Sequence, residues 1–157
     1  MILTACSPRR SGVSMWSARA TNRAQENPVT PDDLAALLAA AFAARRPVAP
    51  DEAALQARIA QELEILPHGL RAVREFRLDE RSRLDLLVEG PLLGRGVAVE
   101  VKVHGGLGPL TRQLCRYAEH AAVDGILVVT TRHDHRRVPD TLFGKPVAVL
   151  YLGSYLL

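Results

Sequence analysis

The chain has 157 residues, 48% hydrophobic and 24% charged, which fits one globular domain with a real core and excludes a low-complexity protein. Its net charge of +3 arises in residues 1–50, with six Arg against three acids, whereas residues 51–157 carry 14 basic and 14 acidic side chains. A nucleic-acid surface on the folded part must therefore be a local patch.

Residues 1–30 show no apolar periodicity and are rich in Ser, Thr, Arg, Asn and Pro, so they are expected to form a disordered tail. Met15 is an alternative start. Leu3-Thr4-Ala5-Cys6 has the look of a lipoprotein cleavage box, but only Met1, Ile2 and Leu3 precede it. An export signal needs an apolar run of about 7 residues or more there. Cys6 and Cys115 make neither a disulfide framework nor a zinc set and point to a reducing cytoplasm. No stretch approaches the ~20 apolar residues of a membrane span.

A single domain is expected over residues 31–157, with a leading helix over 31–47 and a core over 50–157. Pro31-Asp32-Asp33 opens the first helix, with Leu34, Leu37, Leu38 and Phe42 on one side, and Arg45-Arg46-Pro47 ends it. Ala49-Pro50-Asp51 opens a second, whose Leu55, Ile59, Leu63 and Leu66 share a face. Pro67-His68-Gly69 stops it. Strands are predicted over 72–78 and 83–88, with a turn at 79–82 and a loop over 89–96. In Val97-Ala98-Val99-Glu100-Val101-Lys102-Val103 the valines point one way and Ala98, Glu100 and Lys102 the other. A helix is predicted over 109–123, with Leu110, Leu114, Tyr117 and Ala121 on one face. A buried strand over 125–131, a polar loop over 132–137 and a last strand over 147–152 complete the chain. Short links make the first three strands an antiparallel meander, and the helical link makes the third and fourth parallel. The expected class is α/β, a mixed sheet with helices packed on it in αβββαβ order.

Two carboxylates on neighbouring strands, each aimed at one spot, can hold Mg²⁺, a hard ion that takes its remaining ligands from water and phosphate. Asp85 and Glu100 are placed to do this. Lys102 shares the face of Glu100, about 6–7 Å further along the strand, where an ammonium can hold a water and stabilise negative charge on a phosphate. The plainer alternative is a solvated strand face beside an isolated acid. Gly105, Gly106 and Gly108 precede a helix N-terminus, where backbone amides suit a phosphate. Arg112 and Arg116 on that helix could hold a DNA backbone. His133 and His135, in the 132–137 loop, lack the other ligands of a zinc site.

Asp85 followed by Glu100-Val101-Lys102 resembles the PD-(D/E)XK nuclease superfamily, whose core has the same αβββαβ order. Gln113-Leu114-Cys115-Arg116-Tyr117 is similar to the Q-x-x-x-Y motif of its recombination-exonuclease-like branch. Glu52, ahead of Leu55-Gln56, resembles an acid that some members carry in the first helix, and Glu62 is a rival for that role. The resemblance covers roughly residues 50–135. Leu84 stands where the motif has Pro.

The resemblance implies a metal-dependent nuclease of restriction-endonuclease-like fold, acting on DNA, with RNA not excluded. Asp85 and Glu100 would bind Mg²⁺, or Mn²⁺, with the Val101 carbonyl as a third ligand. Lys102 would orient the water, Gln113 and Tyr117 would position Lys102 or the substrate strand, and Glu52 would help a second ion. Two rivals remain: an inactive nucleic-acid-binding or assembly module of the same fold, and an unrelated α/β structural protein. Targeting would come from a homo-oligomer or a protein partner, with no membrane involved.

Overall fold

The computed structural model describes residues 28–47, 51–66 and 68–153. Residues 1–27 of the expected tail, with Cys6 and Met15, lie outside them, as do Ala49, Pro50 and Pro67 at the helix boundaries. Residues 28–30, assigned to the tail by sequence, belong to the fold. The Val29 N–H donates to the Leu92 carbonyl at 2.9 Å. Thr30 caps helix α1 (Pro31–Ala44) in a reciprocal box with Asp33.

Helix α2 (Glu52–Ile65) is capped by the Asp51 side chain. Then come β1 (Arg71–Arg77), β2 (Arg83–Glu89), β3 (Val97–Lys102), α3 (Leu107–Glu119), β4 (Gly125–Thr130), a 3-10 turn over His133–Arg137, β5 (Thr141–Leu142) and β6 (Lys145–Tyr151). The strands form one six-stranded sheet in the order β1-β2-β3-β4-β6-β5. β1, β2 and β3 are antiparallel, and β3, β4 and β6 are parallel. The class is α/β with a mixed sheet; the predicted elements occur in the predicted order, with the short β5 added before the last strand.

Both sheet faces are covered. Leu34, Leu38 and Phe42 of α1 and Leu55, Ile59 and Leu63 of α2 pack on Val97, Val99 and Val101. On the other face Leu110, Leu114, Tyr117 and Ala118 of α3 pack on Leu87, Ala98, Ile126 and Val128. Leu37, expected among the core residues of α1, is only half-buried. β3 and β4 are thus inner strands with almost no solvent on either side, which suits their valine runs.

Several boundaries differ from expectation: α1 ends at Ala44, not at residue 47, and α3 begins at Leu107, not at Pro109. α3 ends at Glu119 because His120 leaves the helical conformation, its ring 2.6 Å from an Asp79 oxygen and its carbonyl accepting from Lys145 Nζ at 2.6 Å. Ala121 is therefore exposed, and Ala118 takes its place in the core. The 132–137 loop is a 3-10 turn that buries His135 completely. The last strand begins at Lys145, in a tight hairpin with β5.

Candidate active site

The β2–β3 ladder pairs Val88 with Val97, Leu87 with Ala98 and Leu86 with Val99, and stops there. Below that point β2 stays with β1 as far as Arg83, while β3 stays with β4 as far as Lys102. The two strands fork, and Asp85 and Glu100 stand at the mouth of the fork.

The β1–β2 ladder is irregular at the same level. Its register pairs Arg74 with Leu86 and Phe76 with Leu84, with no pairing between Glu75 and Asp85. Glu75 has φ 54°, in the left-handed region, which a non-glycine residue rarely occupies inside a strand. Side-chain alternation reverses across this position on both strands. Ala72 leans on the α1/α2 core and Phe76 on the α3 core; Leu86 and Val88 belong to the former, Leu84 to the latter. Asp85 sits at the reversal, and its Oδ2 accepts the Val101 N–H across the fork at 2.7 Å. Within an extended strand the N–H and C=O of a residue point to the same side. The Val101 carbonyl therefore faces the fork, while the next carbonyl, Lys102, turns to β4 and accepts from Thr130 Oγ1 at 2.7 Å.

Glu100 is completely buried, under α3. Its Oε1 accepts from Gln113 Nε2 at 2.7 Å and pairs with Lys102 Nζ at 2.6 Å. Its Oε2 lies 3.0 Å from Tyr117 Oη, which is also 2.9 Å from the Arg83 carbonyl and accepts from Gln113 Nε2 at 2.5 Å. The solvated-face reading of Glu100 is therefore wrong. Burial, then the charge of Asp85, pushes the Glu100 carboxyl up to about 7, against the opposing pull of Lys102. Hydrogen-bond accounting agrees. Tyr117 has one proton and two acceptors, and a protonated Glu100 can donate to Tyr117 while Tyr117 donates to Arg83. Burial and the Glu100 charge also raise the Tyr117 phenol well above its usual range.

Asp85 is likewise raised, by burial first, against the Val101 N–H that stabilises its ionised form. Burial pulls the Lys102 ammonium down, but its bond to Glu100 and the charges of Glu100, Glu52 and Asp85 reverse that, and its pKa is raised. Lys102 is thus the cation shared by several acids. Glu52, at the start of α2, reaches the same end of the sheet. Its Oε2 accepts the Val103 N–H at 3.2 Å and its Oε1 is 3.8 Å from Lys102 Nζ. Glu62, its rival by sequence, is buried further along α2 and paired with Arg45 and Arg58.

Among the described residues no group of three or more His, Cys, Asp or Glu side chains could hold a metal ion. The donors at the fork are two carboxylates, Asp85 and Glu100, and one carbonyl, Val101. That set is too small and too hard for a zinc cage, and it fits Mg²⁺ or Mn²⁺ completed by water and phosphate.

Gly106 is the exposed N-cap of α3 and makes no side-chain cap bond. Arg112 and Arg116 are exposed on α3, one position before Gln113 and Tyr117, and Arg116 Nη1 donates to the Arg112 carbonyl at 3.3 Å. Neither arginine bonds to Asp85, Glu100 or Lys102 among the described residues.

Sequence reasoning missed three members of the arrangement. Glu75, in the left-handed region, stands level with Asp85 where the fork opens. The Arg83 carbonyl holds Tyr117. His135 bridges Thr130 Oγ1 at 2.8 Å and the Gly105 carbonyl at 3.2 Å, fixing the glycine loop that follows Lys102. The observed hairpin is centred on Glu80, one half-step from the 79–82 turn expected by sequence, and only that register sets Glu75 level with Asp85; nothing local marks the other two.

No family model, curated protein or solved structure matches the chain.

Proposed function

We propose that this chain is a metal-dependent nuclease, hydrolysing phosphodiester bonds in DNA with Mg²⁺ or Mn²⁺ at the fork. One observation carries the reading. The strand fork gathers Asp85, Glu100, the Val101 carbonyl and Lys102 at one end of the sheet, with Glu100 held by Gln113 and Tyr117. The resemblance of these residues to PD-(D/E)XK nucleases adds to it.

In this reading Asp85, Glu100 and Val101 hold the ion, and Glu52 stands on the far side of Lys102. The ion, when bound, neutralises phosphate charge and lowers the pKa of a water. Gln113 and Tyr117 keep Glu100 oriented. The Lys102 ammonium, 2.6 Å from Glu100 Oε1, would be the residue that meets phosphate and water. Gly106 lies in the loop that follows Lys102, and Arg112 and Arg116 are exposed on α3, where they would hold a phosphate backbone. Among the described residues no helix is long and apolar enough to cross a membrane.

The test is incubation of the purified chain with single- and double-stranded DNA and with RNA, in Mg²⁺, Mn²⁺ or chelator. Metal-dependent cleavage of DNA is expected. Lys102→Ala should slow the chemical step by about 10²-fold or more with metal affinity unchanged or raised. Cleavage by Lys102→Ala at the wild-type rate would remove the mechanism. Metal-independent binding without cleavage would instead support the inactive nucleic-acid-binding module.

A further inference from the structure

We infer that Glu75 is a positioning residue for the metal site, acting through its backbone: its left-handed conformation turns Asp85 into the fork. This rests on the reading of Asp85 as a metal ligand, but its central geometric claim stands apart from that reading.

A regular β1–β2 ladder would pair Glu75 with Asp85 and carry the same side-chain alternation from end to end. Asp85 would then stand on a face of the sheet, perpendicular to its plane. In this protein the pair is missing, Glu75 has φ 54°, and alternation reverses on both strands. The Asp85 carboxylate is consequently directed sideways, where it meets the Val101 N–H on β3. That bond occupies the place of the next β2–β3 ladder contact, so the turn at Glu75 and the fork are one feature.

The conformation is costly for a residue with a Cβ, and no glycine or asparagine stands there to relieve it. It persists because the neighbours over-determine it. Arg74 and Phe76 remain paired on either side. The Glu75 carboxylate pairs with Arg83 Nε at 2.9 Å, both side chains being exposed. Arg83 in turn accepts the Tyr117 hydroxyl contact through its carbonyl. One strained residue is thereby tied to both halves of the site, Asp85 through the backbone and Glu100 through Arg83 and Tyr117.

The carboxylate of Glu75 and its backbone can be separated by substitution. Glu75→Gly removes the carboxylate and keeps the left-handed conformation accessible. Glu75→Val removes the carboxylate and disfavours that conformation, because a β-branched residue resists positive φ. Glu75→Ala is the milder counterpart, should the valine variant fail to fold.

Two readouts are needed. The first uses no metal: exchange protection of the Val101 amide in labelled protein, which reports the bond to Asp85. Protection should persist in Glu75→Gly and fall in Glu75→Val or Glu75→Ala relative to neighbouring β3 amides. The second is Mg²⁺ affinity by calorimetry. It should weaken by about 10-fold or more in Glu75→Val, the range seen when a residue supporting a metal ligand is lost, and stay within about 3-fold of wild type in Glu75→Gly. A purely structural role would lower the melting temperature without this split.

Equal Val101 protection in the glycine, alanine and valine variants would overturn the inference. So would a glycine variant that loses protection as fully as valine, since the carboxylate would then be the agent. Wild-type protein that takes up no Mg²⁺, with the amide pattern as expected, would defeat the metal reading of Asp85 and leave the geometric role of Glu75 standing.

Discussion

Among the described residues two glutamates are buried, and they are treated in opposite ways. Glu62, under the α1/α2 side, meets two arginines: Arg45 at 2.9 Å and Arg58 at 2.5 Å. Glu100, on the α3 side, has one lysine at 2.6 Å, which also lies 3.8 Å from Glu52, and a second acid, Asp85, beside it. A carboxylate surrounded by cations is a structural anchor, and removing it leaves those cations without their counter-charge. A carboxylate short of cations and pushed toward protonation is a place where an added cation gains most. The same residue type, equally buried, is thus assigned a role by the charge left over around it.

The contrast is broken most directly by exchanging each acid for its amide. Glu100→Gln should weaken Mg²⁺ binding by about 10²-fold or more, since a unit charge close to a divalent ion is worth several kcal/mol at protein-like dielectric. Its melting temperature at pH 8 should be unchanged or higher, because the Asp85–Glu100 repulsion is gone. Unaltered calorimetric affinity in this variant would remove Glu100 from the metal site.

The pH dependence of stability sharpens it next. The Glu100 carboxyl is raised from 4.5 to about 7 in the folded protein. A raised acid favours the folded state while protonated. Its contribution is therefore complete below pH 4.5 and is lost as pH climbs through about 7, a fall of about 3 kcal/mol at most. Asp85, raised in the same direction, adds to that loss. Saturating Mg²⁺ should flatten the fall, because a bound cation stabilises the ionised carboxylates. Denaturant titrations between pH 4.5 and 8, with and without Mg²⁺, would expose a flat metal-free profile as the contrary result.

Glu62→Gln should do the reverse of Glu100→Gln. It should cost about 2 kcal/mol, below the usual value for breaking a buried pair because Arg45 is largely exposed, and leave Mg²⁺ affinity alone. A change in metal binding here would dissolve the distinction between the two glutamates.

The smallest effect is expected from Tyr117→Phe. The ring stays in the α3 core and only the hydroxyl goes, for about 1 kcal/mol of stability. If Tyr117 orients Glu100 through its 3.0 Å contact, cleavage should slow. Normal cleavage kinetics would reduce Tyr117 to a core residue.

Much of this arrangement is local and could be read from the sequence. The valine alternation of β3 put Glu100 and Lys102 on one face. The four-residue spacing of Gln113 and Tyr117 put them on one turn of α3, and both meet Glu100. The class and element order followed from link lengths. The end of α3 did not, because His120 is held by Asp79 and Lys145, remote in sequence. The polar run 132–137 gave no sign that His135 would be buried, since its partners Thr130 and Gly105 come together only when β3 and β4 pair.

By itself, then, the sequence determined which residues could share a face, because strand and helix periods are properties of consecutive residues. Only the tertiary structure decided that Asp85 turns into the plane of the sheet, that β2 and β3 part below Leu86 and Val99, and that Glu100 is short of cations while Glu62 is not. A left-handed glutamate carries no local signal of the kind glycine gives, and the charge balance around a buried acid is set by side chains that only long-range pairing brings together.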